Sequence, residues 1–333
     1  MNQSPSQTDL LTMDRIQSMN DLLSLLTQHW KTVIVGQHDP LEKILVSLMA
    51  NGHVLLEGVP GLAKTLIVST LADLLGGDYK RIQFTPDLLP SDITGTQIYN
   101  AVNQTFTTKK GPLFAQFVLA DEINRAPAKV QSALLEAMQE KQVTIGSDTY
   151  PLGHPFFVLA TQNPLDQDGT YPLPEAQMDR FLFKLRLTYP TPDQEKQLIQ
   201  RVQFGMPTVS DPVMPIDTIP TIQDLVRHVY IDDKVSDYVI RLVDATRHPE
   251  TYGLTDVSPY LHCGASPRAT LAFVGASKAY AFLQRRNYVI PEDVKHLTHD
   301  ILRHRLHLTF AADAESVTPD TIIDTILGRI EVP

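Results

Sequence analysis

The sequence predicts an α/β domain built on a parallel sheet, followed by an all-helical domain. Through the first two thirds of the chain, short apolar segments typical of buried strands alternate with amphipathic helical patterns. That alternation is typical of a parallel sheet covered by helices on both faces. The last third carries helical periodicity alone. Residues 204–220, which lie between the two parts, contain four prolines and have the character of a linker.

These changes of pattern set the domain boundaries. We predict an N-terminal tail and helix over residues 1–32, an α/β core over 33–203, a linker over 204–220 and a helical domain over 221–333. The 333 residues are enough for two domains with sizeable apolar cores, without help from disulfides or structural metals.

The elements of the first part follow from its apolar periodicity. The first dozen residues are polar and predict a disordered tail, and the leucines before Trp30 then predict a short amphipathic helix. A second helix passes through Leu41 and Leu48 and ends at Asn51-Gly52. Strands are predicted at 53–57, 81–84, 117–121, 156–161 and 181–187, helices at 64–75, 127–140 and 175–180, and inserted hairpins at 97–107 and 142–150.

Helix-start signals place the later helices. Thr191-Pro-Asp-Gln194 combines a capping box with proline at the first helical position, and it predicts a helix to about residue 203. Ser266-Pro267 is a similar start, with serine as the expected N-cap. Beyond the linker, helices are predicted at 222–230, 235–246, 267–283, 291–306 and 319–330.

Composition excludes several classes of protein. With 38 acidic and 28 basic side chains the formal charge is -10, which argues against binding of a polyanion by the whole chain, although a local basic patch remains compatible with it. The single cysteine, Cys263, excludes an internal disulfide framework and indicates a reducing compartment, with the cytoplasm as the default. No run of 18 apolar residues and no secretory pattern is present, so we expect neither a membrane span nor a leader.

The segment Gly58-Val-Pro-Gly61-Leu-Ala63-Lys64-Thr65 has the character of a phosphate-binding loop, because it connects a predicted strand to a predicted helix. Backbone N–H groups and the helix N-terminus would face the phosphates, Lys64 would add a positive charge, and the Thr65 hydroxyl would ligate Mg²⁺. Ala63 occupies the position of a usual second glycine; we expect it to have helical φ, with Gly58 and Gly61 supplying the permissive turn. The predicted nucleotide-binding residues are Gly58, Val59, Pro60, Gly61, Leu62, Ala63, Lys64, Thr65, Leu66 and Asp121.

Two adjacent carboxylates end the apolar run 117–121. They are Asp121 and Glu122, at the carboxyl end of a predicted central strand, where open α/β sheets bind their ligands. Asp121 would coordinate Mg²⁺ and Glu122 would orient and polarise an attacking water. The pair could alone be a solvated helix start, but its position after a phosphate loop favours hydrolysis.

Three further polar residues are candidates for the same chemistry. Asn163, which follows the fourth strand, could hydrogen-bond the attacking water or the γ-phosphate, or could form an Asn-Pro turn. Arg180 ends a short helix beside acids, so a plain salt bridge to Asp179 or Glu175 is its alternative. Arg268 lies in the first turn of a helix, where a cation opposes the helix dipole, and this position favours a phosphate contact.

These segments resemble the MoxR family of AAA+ ATPases, in the same order along the chain. The resemblance covers about residues 35 to 330. It rests on the phosphate loop, Ala120-Asp-Glu-Ile-Asn-Arg-Ala-Pro127, residues 160–164, Leu173-Pro-Glu-Ala-Gln-Met-Asp-Arg-Phe181 and Gly264-Ala-Ser-Pro-Arg-Ala269. It implies that the loop is Walker A, that Asp121 and Glu122 are Walker B, and that Asn163 is sensor 1, Arg180 the arginine finger and Arg268 sensor 2.

The resemblance also implies a biological role. A protein of this kind hydrolyses ATP with Mg²⁺ in a homo-oligomeric ring, most often a hexamer, in which Arg180 reaches the ATP of the neighbouring subunit. It acts as a chaperone-like ATPase that remodels or matures client proteins or inserts metal cofactors into them, often with a partner bearing a von Willebrand factor A domain. The two hairpins line the ring's central pore in relatives; otherwise they would be surface decorations.

Other interpretations remain open at this stage. A nucleic-acid motor would thread DNA or RNA through the pore, but near the hairpins the chain offers only Lys109, Lys110 and Lys141 as basic residues. A module that senses ATP without hydrolysing it and a small-molecule kinase are more remote. A metal site is conceivable at a histidine-rich cluster in the last third, for which a solvated or subunit-facing helix is the favoured interpretation. The cluster comprises His296, His299, Asp300, His304 and His307.

Overall fold

A computed structural model describes residues 7–164, 171–205, 207, 209 and 211–333, and it confirms the predicted fold class. The strands are β1 (Val54–Glu57), β2 (Tyr79–Gln83), β3 (Gly95–Asn100), β4 (Thr105–Lys110), β5 (Phe117–Asp121), β6 (Gln142–Ile145), β7 (Asp148–Pro151), β8 (Phe157–Gln162), β9 (Phe183–Arg186), β10 (Leu261–Cys263) and β11 (His307–Leu308). The helices are α1 (Gln7–Val33), α2 (His38–Met49), α3 (Lys64–Leu75), α4 (Pro90–Thr94), α5 (Ala128–Glu140), α6 (Glu175–Met178), α7 (Pro192–Phe204), α8 (Thr218–Arg227), α9 (Asp233–Ala245), α10 (Pro267–Leu283), α11 (Pro291–Leu302), α12 (Phe310–Ala314) and α13 (Pro319–Arg329).

The central sheet is parallel and has the strand order β2-β5-β8-β1-β9. Successive side chains of a strand point to opposite faces. In β5, Phe117 and Leu119 therefore join one apolar cluster with α1, α2 and α3, while Val118 and Ala120 join a second cluster with α5. Both faces of the sheet are buried, which explains why its strands are nearly continuous apolar runs.

Helix α1 begins earlier than the sequence suggested. We expected a tail over the first dozen residues and a short helix, whereas α1 spans 27 residues; residues 1–6 of the expected tail lie outside the described residues. Its apolar stripe of Leu23, Leu26 and Trp30 is buried, and the Trp30 indole N–H donates to the Ile67 carbonyl of α3 at 3.2 Å. The helix thus packs against the helix that follows the phosphate loop.

Both predicted hairpins are confirmed as antiparallel pairs, β3 with β4 and β6 with β7. They lie beside each other, because the Thr108 hydroxyl is 3.0 Å from the Tyr150 hydroxyl. The far end of the first hairpin exposes large apolar side chains: Tyr99 (54%), Val102 (90%) and Phe106 (66%).

The helical part shares one apolar cluster with the α/β part, and ion pairs between acidic and basic side chains also join the two parts.

Helix α8 begins at Thr218, four residues before the predicted start and inside the expected linker, because the buried Ile219 adds an apolar turn. Helix α11 ends at Leu302 rather than at residue 306, and the chain then enters β11, which pairs with β10. Within the described part of the chain, no helix is both long and apolar enough to cross a membrane.

Candidate active site

The phosphate loop lies where the sequence predicted it, between β1 and α3. Gly58 is buried, and a Cβ added there would approach the Leu187 Cβ to 3.1 Å, so the position leaves little room for a side chain. Gly61 has a φ of +88°, which only glycine adopts without strain. The Lys64 ammonium donates to the Gly58 carbonyl at 2.5 Å. The loop therefore folds back over its own lysine at the N-terminus of α3.

The expectation for Ala63 is wrong. Its φ is +56° and its ψ is 23°, which is the left-handed conformation and not the expected helical one. Ala63 is the N-cap residue of α3, and the left-handed angles turn the chain from the loop into the helix. The usual glycine at this position would adopt them without steric strain, whereas a Cβ in this region costs about 1–2 kcal/mol. The strained position is thus Ala63, while a side chain at Gly58 would be crowded by Leu187.

The two carboxylates of the β5 terminus share a hydrogen-bonded chain with Thr161 of β8. The Glu122 backbone N–H donates to the Thr161 hydroxyl oxygen at 2.8 Å, and that hydroxyl donates to Asp121 Oδ1 at 2.6 Å. Glu122 has a φ of +56°, so the chain turns sharply directly after the strand. This turn fixes both carboxylates at the carboxyl edge of the sheet.

Neighbouring strands and the following turn supply polar partners for the same carboxylates. Arg81 of β2 donates to Asp121 Oδ2 from Nε at 3.1 Å and from Nη2 at 2.7 Å. Gln83, also of β2, donates its amide N–H to Glu122 Oε2 at 2.9 Å, and the Arg125 Nε lies 3.1 Å from the same oxygen. Both acids are therefore oriented by side chains outside the predicted set of site residues.

Asn163 is buried directly after β8, and the sheet register places it next to the loop. Gln162 pairs with Glu57 in the ladder between β8 and β1, and the Gln162 carbonyl accepts the Gly58 N–H at 3.2 Å. The loop, the two carboxylates and Asn163 thus meet at one edge of three adjacent strands. A helix N-terminus with a lysine suits phosphate groups, and carboxylate and hydroxyl oxygens are ligands that Mg²⁺ prefers, so this donor set fits a nucleotide phosphate with Mg²⁺.

The two predicted arginines lie together at the opposite, amino edge of the sheet. Arg180 Nε donates to Gln139 Oε1 at 3.0 Å, and Arg268 Nη2 lies 3.5 Å from the same oxygen. Both line a groove of about 290 Å³ with residues 51–53, which directly precede β1. The four residues of β1, about 13 Å at the usual rise, separate this groove from the phosphate loop of the same chain.

The alternative role of Arg180, an ion pair to a nearby acid, is not what the structure shows. Asp179 pairs with Arg305 at 2.6 Å, and Glu175 pairs with His307 at 3.0 Å. The Ser266 N-cap of α10 is confirmed, because its side chain accepts the Arg268 N–H. Arg268 itself is exposed in the first turn of α10.

The residues of the histidine-rich cluster do not lie together. A solvated or subunit-facing helix was the favoured interpretation, and it is wrong for two of them, which are buried. His304 is buried with its Nε2 at 3.1 Å from the Phe181 carbonyl, and burial holds its pKa well below the usual value. Asp300 is also buried and pairs with Lys43 at 2.5 Å. His296 stacks on a tyrosine ring, and His299 and His307 pair with separate acids. Among the described residues, no group of histidine, cysteine or acid side chains is arranged to hold a metal.

Several site residues were missed because their roles depend on strand pairing. Thr161 lies beside Asp121 only through the pairing of β8 with β5, and Arg81 lies there through the pairing of β2 with β5. A signal for Thr161 existed, since it stands two residues before Asn163 at the same strand end. Gln139 carried no such signal.

Comparison with known proteins supplies the family. A family model described as "ATPase family associated with various cellular activities (AAA)" matches residues 53–183, and an AAA lid domain model matches residues 253–326. Chaperone MoxR1 of Mycobacterium tuberculosis is 49% identical over 303 residues, covering 91% of this chain and 80% of that protein. The chain belongs to the MoxR family of AAA+ ATPases. A MoxR protein of Paracoccus denitrificans is 31% identical, with 90% of this chain and 93% of that protein covered.

A solved structure has a similar fold. A crystal structure of a protein from Cytophaga hutchinsonii that is assigned as an ATPase has a TM-score of 0.91 and 47% identity, with 96% of this chain and 97% of that chain covered. The fold is accordingly that of an AAA+ core with a helical lid, and this MoxR-family chain is an ATPase.

Proposed function

We propose that this chain hydrolyses ATP with Mg²⁺ at a site completed by two subunits, and that it acts as a chaperone-like ATPase on client proteins. The observation that carries the proposal is the division of the polar residues between two edges of the sheet. Walker A, Walker B and Asn163 lie at the carboxyl edge, whereas Arg180 and Arg268 lie at the amino edge. Arginines so placed can serve the phosphates of a neighbouring copy, while the β1 strand keeps them from those of their own chain.

The residues of the carboxyl edge would divide the chemistry of hydrolysis. The loop N–H groups and Lys64 would hold the phosphates, and Thr65 with Asp121 would hold Mg²⁺, which when bound neutralises charge on the phosphate oxygens. Glu122 would accept a hydrogen bond from the attacking water through its carboxylate and take up its proton as the oxygen bonds to the γ-phosphorus. The bond from that phosphorus to the β,γ-bridging oxygen would break at the same time, so that ADP leaves with the bridging oxygen and inorganic phosphate is released. Asn163 would orient the same water.

Glu122→Gln tests the hydrolytic role. The amide keeps the shape of the side chain but cannot act as a base, and loss of a general base lowers rates by about 10²–10⁴-fold. We expect steady phosphate release to fall by that factor, while ATP binding, measured by equilibrium dialysis, stays unchanged. Lys64→Ala is the matched control that should lose binding. Equal and slow phosphate release by the wild type and Glu122→Gln would indicate an ATP sensor and contradict the proposal.

A homo-oligomeric ring, most simply a hexamer, would provide the second subunit. Arginine fingers contribute about 10³–10⁵ in rate when they reach the transferred phosphoryl group. In such a ring every interface would join the carboxyl edge of one core to the amino edge of the next. Each active site would then use the Walker residues of one subunit and Arg180 and Arg268 of its neighbour.

The client is proposed to be a polypeptide because the first hairpin ends in apolar side chains. Tyr99, Val102 and Phe106 are exposed there, and Tyr99 and Phe106 pack at a ring distance of 5.2 Å. Lys110 at the hairpin base lies 4.7 Å over the Phe114 ring, away from that end. Apolar tips suit unfolded protein segments better than a phosphate backbone, which basic side chains would recognise.

A capture experiment separates protein from nucleic-acid clients. Glu122→Gln with ATP should retain clients, and the double variant Lys64→Ala/Glu122→Gln should release them because it cannot hold ATP. The same bait with Phe106→Ser should retain less protein if the hairpin contacts the client. Nucleic acid held in an ATP-dependent manner would instead favour a motor.

By the family resemblance, we further propose a partner with a von Willebrand factor A domain and a role in client maturation or metal-cofactor insertion.

A further inference from the structure

The Asp179 carboxylate joins the segments that carry the two arginines. Its Oδ2 accepts the Ser266 hydroxyl at 2.6 Å, and its Oδ1 accepts the Nε–H of Arg305 at 2.6 Å. Asp179 directly precedes Arg180 in the chain. Ser266 caps α10, where its side-chain oxygen accepts the Arg268 N–H at 3.1 Å. One carboxylate therefore connects the Arg180 segment of the core to the helix start that carries Arg268.

Arg305 fixes the other side of this connection. Its side chain is only 3% exposed, and its guanidinium donates to the carbonyls of Asp179 at 3.2 Å, Phe181 at 2.7 Å and Leu182 at 3.2 Å. A guanidinium is planar and its N–H groups have fixed directions. Arg305 consequently holds the backbone on both sides of Arg180 in one position relative to the lid.

A third link joins the arginine side chains themselves. Gln139 at the end of α5 accepts from Arg180 Nε at 3.0 Å, and Arg268 Nη2 lies 3.5 Å from the same oxygen. The two guanidinium groups thus share one acceptor, while their backbones are joined through Asp179. Core and lid meet here through named polar contacts as well as through apolar packing.

We propose that Asp179 is a positioning residue that sets the spacing between Arg180 and Arg268, so that one subunit presents both guanidinium groups as a unit to the nucleotide phosphates of its neighbour. The inference rests on the proposed function, in which the arginines act on the next subunit. A displacement of about 1 Å in a positioned group can reduce a rate by about 10²-fold. Loss of the Asp179 contacts should therefore lower kcat at least tenfold while the KM for ATP, set by the Walker residues, changes little.

Two kinds of variant break the connection. Asp179→Asn removes the charge opposite the buried Arg305 and could disturb folding. Ser266→Gly is milder, because glycine is well tolerated as an N-cap, yet it removes the hydroxyl that Asp179 accepts. Ser266→Thr keeps that hydroxyl and the cap, and is the matched control. We expect Ser266→Gly to lower kcat and Ser266→Thr to retain it.

Mixed assemblies distinguish a positioning role from a general structural one. Arg180→Ala subunits keep intact Walker residues but donate no finger, and Glu122→Gln subunits donate arginines but cannot hydrolyse. Each alone should be nearly inactive, and their mixture should release phosphate. Ser266→Gly added to the Glu122→Gln donor should reduce the activity of the mixture at least tenfold, whereas the same change added to the Arg180→Ala acceptor should have no effect. Asp179→Asn should behave in the same way.

Each other outcome has a definite meaning. No activity in the parental mixture would overturn action between subunits, and the positioning role with it. An active parental mixture that is unaffected by either variant in the donor would overturn the positioning role alone. So would an equal loss from Ser266→Gly in donor and acceptor, since a purely structural role would act in both places. Analytical ultracentrifugation of each mixture shows that the variants still assemble.

Discussion

Replacing Ala63 by glycine should make the protein more stable, although alanine-to-glycine changes usually have the opposite effect. Ala63 adopts a φ of +56°, in the left-handed region. A residue with a Cβ is there about 1–2 kcal/mol less stable than in the right-handed region. Glycine removes this strain, but its greater freedom in the unfolded chain costs about 0.5–1 kcal/mol. The methyl group is exposed, so little apolar burial is lost, and the balance lies between about 0 and 1.5 kcal/mol in favour of Ala63→Gly, with its centre near 0.75 kcal/mol.

Urea unfolding of matched variants measures this difference. Ala133 lies inside α5, where a change to glycine should lower the free energy of unfolding by about 1 kcal/mol. Gly61 has a φ of +88°, so Gly61→Ala adds strain of about 1–2 kcal/mol and recovers about 0.5–1 kcal/mol from the less flexible unfolded chain; the free energy of unfolding should fall on balance. Ala63→Gly should instead raise the midpoint at an unchanged slope. If Ala63→Gly destabilised the protein as much as Ala133→Gly, the argument from backbone strain would be refuted.

The other predictions concern charge. Arg81→Gln should lower the Mg²⁺ concentration that half-saturates hydrolysis by up to about fivefold. The guanidinium competes with Mg²⁺ for the Asp121 carboxylate, and such a partly exposed ion pair contributes about 0.2–1 kcal/mol. A half-saturating Mg²⁺ concentration that is unchanged in Arg81→Gln would contradict this prediction. Burial holds the pKa of His53 and His304 well below 6.5, so the unfolded chain binds more protons at acid pH. As the pH is lowered from 6.5, the free energy of unfolding should therefore decrease by up to about 1.4 kcal/mol per pH unit for each of the two histidines. If the free energy of unfolding decreased as steeply with pH in His53→Gln as in the wild type, the result would be inconsistent with this prediction. Burial lowers the pKa of Lys141 to about 8, so the unfolded chain binds more protons than the folded protein between about pH 8 and 10.5. The free energy of unfolding should therefore increase with pH over this range. Urea unfolding should show a smaller increase of that free energy with pH in Lys141→Met.

Elements with local start and stop signals were predictable from the sequence. Helix α3 runs over the predicted residues because the phosphate loop precedes it and Gly76 ends it in the left-handed conformation. Helix α10 does so because Ser266 and Pro267 form a strong start. The capping box at Thr191 is present with both of its hydrogen bonds. In each case the deciding interactions lie within a few residues of one another.

Features that depend on distant partners were not predictable. The Arg81 contact to Asp121 needs the pairing of β2 with β5, and no local pattern marks it. The meeting of Arg180 with Arg268 depends on how the lid docks on the core, which Arg305 and its carbonyl contacts help to fix. The left-handed φ of Ala63 was missed for another reason, because alanine rarely adopts it and the residue type suggested helix instead.

The central claim, that one active site needs residues of two subunits, has a direct measurement. ATP hydrolysis per subunit should be followed as the protein is diluted, with the mass of the species determined by light scattering at each concentration. Where the protein is a single chain, phosphate release should fall by about 10³-fold or more, since no neighbour then supplies Arg180. A single chain that hydrolyses ATP as fast as the assembled protein would contradict the account.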